Sequence, residues 1–488
     1  MKKTMILILA LVMVITLFAC GKKEAQPQQN AATGAPKYDT LQVGFGKAKI
    51  QPPDTAIHLT GGGDPNRIAT GVFDELYLTC IAVSDTEGNT ALFYTVDIQS
   101  ASDQWTKPAR EFISQRTGIP TSHIFFGVTH AHSVPGLNNS TEANKKYNKV
   151  FEEGLIKATD DALADRSDAE IQIGTADGTL ENGKKLAFVR HWVMKDGSVF
   201  GSNFGNASSG YAGHPYEADT EAQLIKFVRP AEDKKDVLMV SWPCHSTFNG
   251  TTTKKDLSAD WPSPTRDYIE ANSDCLVGIF LSGAGNQTPT SYWLEEDHRF
   301  DYREYGAALG QIIVDALPST TKIGDGTIKV SSQQYVTESN IYTDTERLIV
   351  AQDVYKYFLD NGQTAGTTYA KEKGFMSPYE ARAYVQRSKL PATQELTMGA
   401  LSIGDLSFVI APYEMFSKSA QQIKNETPFE MTFVMAYANG SAGYIPTTEG
   451  YEYNDNVGCY EAYASPWPKG AAEELSQKYL EMLAELKG

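Results

Sequence analysis

Two imidazoles stand two residues apart in the run GVTHAHSVPG. His130 and His132 stand at the end of the apolar run that begins Ile124-Phe125-Phe126. Only eight histidines occur in the 488 residues, so this pair is concentrated chemistry. On an extended strand alternate side chains share a face, and both rings can then enter one pocket. Neutral imidazole is the commonest protein ligand for zinc, and a strand end holds it rigidly. Two hydrogen-bonded histidines at a sheet edge fit the same run, and the residues alone leave both readings open.

Three further candidates occupy similar places. His245 ends the run Val237-Leu238-Met239-Val240-Ser241-Trp242-Pro243, Glu414 follows Val409-Ile410-Ala411-Pro412, and Tyr444 sits in YANGSAGYIPTTEGYE. Each has a plain structural alternative. His245 can be a buried histidine beside Cys244. Glu414 can favour the amide-rich start of a following helix. Tyr444 can be one core aromatic among 25 tyrosines.

The elements that must position these groups alternate short β-rich runs with amphipathic helices. Apolar periodicity predicts strands at Leu41–Ile50, Leu76–Ser84, Thr90–Ile98, Ile124–Thr129, Gln223–Val228, Val237–Pro243, Leu276–Ser282 and Phe408–Pro412. It predicts helices at 103–116, 142–165, 263–272, 301–316, 343–360, 378–388, 415–425 and 471–486. The expectation is an α/β fold: mixed sheets covered by helices, in a single large domain over 39–488. Open α/β sheets place ligands beyond strand ends, where separate segments converge.

The N-terminus carries an address. Lys2 and Lys3 precede an apolar run closed by Leu17-Phe18-Ala19-Cys20, the pattern of an export signal over 1–20. Its end resembles the lipobox of bacterial lipoproteins, which implies lipidation of Cys20 and anchoring in the cell envelope, facing away from the cytoplasm. An uncleaved anchor helix is the alternative, although the run is shorter than the ~20 residues that span a bilayer. Residues 21–38 lack a hydrophobic period and read as a flexible tether. The formal charge of −17, with no basic stripe, argues against a nucleic-acid partner and against electrostatic adhesion to anionic lipid. Besides Cys20 the cysteines are Cys80, Cys244, Cys275 and Cys459. Without a C-x-x-C pair they indicate neither a thiol zinc site nor a redox motif, and no pairing is assigned.

Taken together, six segments in order resemble the neutral (alkaline, non-lysosomal) ceramidase family from about residue 42 to 465. GVTHAHSVPG is similar to its T-H-T-H-S-G-P segment, and SWPCHSTFNG to its V-H-x-T-S-M segment. LSADWP resembles its serine/aspartate turn, and SGAGNQTPT its G-D-V-S-P-N loop. APYEMF resembles P-G-E-F, and YANGSAGYIPTTEGYE resembles N-x-Y-x-H-Y-x-T-T-x-E-E-Y. The resemblance implies a zinc-dependent hydrolase of an N-acyl amide, ceramide or a related lipid, releasing a fatty acid and an amine. It makes His130, His245, Glu414 and Tyr444 the Zn2+ ligands, a set of two nitrogens and two oxygens that suits zinc. It sets His132 beside the scissile bond, Arg190 of LAFVRHW on the product carboxylate, and Tyr460 of CYEAYAS near the reacting group. An ion-pairing arginine is the plain alternative for Arg190.

The sequence also departs from the family. Thr288 replaces a serine assigned a catalytic role, Asn286 replaces an aspartate, and the spacing from Tyr444 to Tyr460 is longer. The family's C-terminal immunoglobulin-like domain is expected to be absent. These differences keep two other expectations in play: a zinc hydrolase of a different amide or ester, and a lipoprotein that binds a ligand without turnover.

Overall fold

Strands and helices follow the burial pattern closely enough to be read from it. The fold is described from a computed structural model for residues 37–61, 67–138, 140–197, 199–201, 211–250, 254–289, 300–452 and 459–488. The expected export signal and all but the last two residues of the expected tether lie outside these. Lys37–Gly488 form one contact-linked unit.

Three sheets make the framework. The first runs β4(Ile124–Val128)–β3(Thr90–Val96)–β2(Tyr77–Ser84)–β1(Gln42–Lys49), with Ser167–Asp168 at its edge. The second runs β8(Cys275–Leu281)–β7(Asp236–Trp242)–β6(Glu221–Val228)–β5(Glu170–Asp177), edged by Thr321–Lys322. The third runs β9(Ile328–Glu338)–β10(Thr393–Ile403)–β11(Leu406–Ile410)–β12(Met431–Met435). Each is mixed, with one parallel pair: β3 with β4, β7 with β8, and β11 with β12.

The side-chain period of two divides these strands between two cores. Phe93, Phe125, Met239, Phe280, Phe408 and Phe433 share the core that joins all three sheets. Their neighbours Tyr94, Phe126, Leu238 and Val240 face the other way and pack with residues of the helices. Strands buried on both faces read as continuous apolar runs, which is why they were legible in sequence. Helix α1 (Asp103–Thr117) sets Trp105 edge-on to Phe126, and helix α2 (Glu142–Ala164) lies so close on β1 that a Cβ at Gly46 would fall 2.0 Å from the Ala158 carbonyl oxygen. Helices α3 (Pro262–Asn272) and α4 (Tyr302–Ala316) contribute Ile269 and Leu309 to the outer core, and the last helix, Ala471–Lys487, contributes Leu475 and Met482.

All eight expected strands and all eight expected helices are present, and the α/β expectation holds. One helix differs clearly in extent: the 343–360 segment continues as Thr345–Glu372. Asn361-Gly362 reads as a stop, and Gly362 does leave helical geometry (φ 81°), but the chain then resumes its helix. Strands β5, β9, β10 and β12 were not anticipated. β9 is largely polar and partly exposed, β10 opens on exposed polar residues before its buried Leu396, Met398, Ala400, Leu401 and Ile403, and their register along eleven residue pairs is a tertiary property. No helix among the described residues is long and apolar enough to cross a membrane. Cys80, Cys244, Cys275 and Cys459 are all buried.

Candidate metal centre

The parallel pairs all direct their C-terminal ends to candidate residues. Beyond β4 comes His130, beyond β7 His245, beyond β8 the 283–288 loop, beyond β11 Glu414, and beyond β12 Tyr437 and Tyr444. The segment Ala436–Ala438 ties two ends together through bridges Leu281↔Ala436 and Gly127↔Ala438.

His130 does not reach the site by strand alternation. β4 stops at Val128, and His130 adopts φ 54°, left-handed and uncommon for a residue with a side chain. The expected shared strand face is therefore corrected: a backbone reversal at His130, not a pleat, brings its ring to 4.8 Å from the His132 ring and 4.9 Å from the His245 ring. Tyr437 and Asn439 opposite have φ 54° and 55°, so strained backbone gathers here as it does at functional sites.

Hydrogen bonds behind the two imidazoles set their tautomers. His130 Nδ1 is 2.6 Å from the Gln99 carbonyl, and His245 Nδ1 bonds the Ala284 carbonyl. A carbonyl only accepts, so each Nδ1 carries the proton and each Nε2 turns its lone pair inward. Glu414 Oε2 lies 3.3 Å from His245 Nε2 and 3.6 Å from His130 Nε2. Ligand atoms about 2.0–2.2 Å from a tetrahedral zinc stand roughly 3.3–3.5 Å apart. His245 Nε2 and Glu414 Oε2 are also buried without a hydrogen-bond partner, the mark of a site whose lone pairs serve something else. Burial pushes the His130 imidazole down to about 4 and that of His245 well below its ordinary value, so both are neutral donors near pH 7. The residues fit a zinc-type ion.

Tyr444 enters through register. The two-residue strands Glu414–Met415 and Tyr444–Ile445 pair in parallel with Glu414 opposite Tyr444, so both oxygen donors leave one rung. Burial, then the Glu414 charge, push the Tyr444 phenol well above its usual range. It becomes an anionic ligand only where a cation draws off its proton. Arg190 Nη2 donates to the Tyr444 hydroxyl at 3.1 Å and to the Gly285 carbonyl at 2.6 Å, while Nε donates to Glu461 Oε1 at 2.6 Å. None of these bonds uses Nη1.

His132 closes another side. Its Nε2 is buried and unpartnered, and a nitrogen of its ring lies within 4.8 Å of donor nitrogens of His130 and His245. Gly61 and Gly250 press on it: a Cβ at either would fall 2.6 Å or 2.4 Å from His132 Cβ. Tyr460 packs edge-on to Tyr444, ring centroids 5.5 Å apart, and its phenol is pushed up to about 12 by burial. Thr288 is buried in the strand Gln287–Thr288, paired with Phe188–Val189 just before Arg190. Its neighbour Asn286 accepts from the Ser417 N–H (2.9 Å) and donates to the Tyr216 hydroxyl. An aspartate carboxylate could make the first bond but could not donate the second.

Two groups escaped the sequence reading. The Tyr437 ring lies tilted against that of His130, centroids 4.4 Å apart, with its hydroxyl buried and unpartnered. Glu461 is buried against Arg190, in the helix Tyr460–Ala464. Its signal was its place beside Tyr460. A cavity of about 10 Å³ lined by His130, Glu414, Tyr413, Tyr437 and Gly440 adjoins the donors.

No family model and no curated protein matches the chain. Solved structures do. Neutral ceramidase from Pseudomonas aeruginosa superposes with a TM-score of 0.67 at 15% identity, covering 92% of this chain and 75% of that one. A ceramidase complexed with C2 gives 0.67 at 14% identity with the same coverage. Identity this low carries the architecture and not the chemistry. The chain has the fold of a neutral ceramidase.

Proposed function

We propose that this chain is a zinc-dependent amidohydrolase acting on an N-acyl lipid, ceramide or a close relative, to give a fatty acid and an amine. One observation carries the reading: His245 Nε2 and Glu414 Oε2 are buried, unpartnered and 3.3 Å apart, with His130 Nε2 beside them. The six segments that resemble the neutral ceramidases, on a fold shared with one, support the substrate class. His130, His245, Glu414 and Tyr444 would hold the ion, which when bound supplies a Lewis acid for acidifying water and polarising an acyl carbonyl.

The chain's own groups divide the remaining work. The carbonyls of Gln99 and Ala284 keep both imidazoles in the ligating tautomer. His132 Nε2, neutral and unpartnered, serves as the proton carrier to the leaving amine. Arg190 keeps the Tyr444 hydroxyl in place through Nη2 and turns Nη1 to the carboxylate product. Tyr460, protonated at neutral pH, donates to the developing oxyanion. Thr288 offers a hydroxyl beside Arg190, with a methyl that narrows the approach. Lipidation of Cys20 would hold the enzyme at a bacterial membrane, on the side away from the cytoplasm.

The full-length protein should bind zinc and hydrolyse N-acyl substrates, and a chelator should stop it. Ceramide and short N-acyl amides tested side by side place the substrate. Turnover of short amides or esters with none of ceramide would favour the second reading, which the methyl of Thr288 motivates. Zinc binding without turnover of any substrate would overturn hydrolysis and leave a ligand-binding lipoprotein. Mass analysis of the mature N-terminus tests the anchor, and an unmodified Cys20 would remove it.

A further inference from the structure

A second group of donors lies behind Arg190, apart from the His130 set. His191, Cys459 and Glu461 are buried to 1% exposure or less. Cys459 Sγ is 2.9 Å from Glu461 Oε2 and 3.1 Å from His191 Nε2, and Nε2 is 3.1 Å from the same Oε2. Three donor atoms thus form a nearly equilateral triangle.

Hydrogen bonds cannot account for all three sides. An ionised carboxylate only accepts, a thiol has one proton, and Nε2 either donates or accepts. If Sγ and Nε2 both donate to Oε2, the side between them is a bare contact. If Sγ donates to Nε2, Oε2 faces two lone pairs. A cation over the triangle makes every side favourable at once, because thiolate, imidazole and carboxylate all turn lone pairs to one point. The second carboxylate oxygen is already committed: Arg190 Nε holds Oε1 at 2.6 Å, which leaves Oε2 aimed at the other two donors.

We propose that His191, Cys459 and Glu461 form a second metal site, for a thiophilic divalent cation of the zinc type. The mixed sulfur, nitrogen and oxygen set excludes magnesium and calcium, which take oxygen ligands. Binding converts the Cys459 thiol to a thiolate and releases its proton to solvent. With the positive Arg190 adjacent, both anions are needed to balance the dication. Glu461 is shared between the cation and Arg190, and Arg190 reaches Tyr444, so occupancy stiffens one wall of the first site. That consequence rests on the hydrolase reading; the binding itself does not.

The test uses full-length protein stripped of metal and titrated with Co2+. The wild type should develop the near-ultraviolet charge-transfer band of a cobalt thiolate, and His130→Ala should keep it. Cys459→Ala should lose the band and bind one metal equivalent fewer than wild type. Zinc should raise the melting temperature of His130→Ala and leave that of His130→Ala/Cys459→Ala unmoved. Absence of the band in wild type, or an unchanged metal count in Cys459→Ala, would overturn the proposal. If Cys459→Ala does not fold, the wild-type band decides alone. Failure of N-acyl hydrolysis would be read separately and would leave this site standing.

Discussion

The His130 and His191 sets use related donors and keep them in opposite ways. In the first, His245 Nε2 and Glu414 Oε2 face each other without hydrogen-bond partners, and the rings are gripped from behind by backbone carbonyls. In the second, the donors touch one another, and half of the carboxylate is held by an arginine. The first hangs on strand ends, where loops can open a ligand position. The second hangs on the strand His191–Met194 and on the approach to the helix Tyr460–Ala464, and is sealed. Open lone pairs at a strand end suit chemistry, whereas a sealed triangle suits support. Arg190 joins the two.

The comparison can be broken in order of size. Replacing His245 by Ala should abolish first-site metal binding and lower kcat/KM by at least about 10³-fold, beyond the roughly 10–100-fold typical of residues that act from behind a ligand. Retained metal and activity would remove the first set from the chemistry. Next, Glu461→Gln should lower kcat/KM roughly 10–100-fold while the first-site metal stays, because Glu461 reaches the first site only through Arg190. Burying Arg190 without its partner should also cost about 3–5 kcal/mol of stability, read by denaturant titration. Equal loss of first-site metal would show that the two sets are one.

Gly250→Ala probes the first set more gently. Its new Cβ would displace His132, so turnover should fall by about tenfold at unchanged zinc content, and overpacking should cost about 1–3 kcal/mol. Loss of metal instead would make His132 a ligand. The smallest effect is the control: Arg116→Ala breaks a surface pair with Asp160 and should cost under about 1 kcal/mol without touching either set.

Much of this was legible beforehand, for identifiable reasons. Strands β3, β4 and β7 are buried on both faces, so their apolar runs announce them. Helix α2 carries Thr141 as a side-chain cap and a buried stripe through Tyr147, Phe151 and Leu155. Polar β9 and the polar start of β10 announce nothing alone, because their pairing is what makes them strands. His130, His245, Glu414 and Tyr444 were each ambiguous in isolation and persuasive only in series. Cys459 and Glu461 were passed over since their partner His191 lies 268 residues from Cys459. No local pattern spans that distance.

By itself the sequence determined the donor chemistry, the alternation of strand and helix, and the strand ends where donors would appear. Those follow from residue type and short-range periodicity, which act within a few residues. Tertiary structure alone decided the left-handed turn at His130, the rung that sets Glu414 opposite Tyr444, the carbonyls that choose each tautomer, and the triangle behind Arg190. Each depends on register between segments far apart in the chain, which is set when three sheets close on a common core and not by any one segment's own preference.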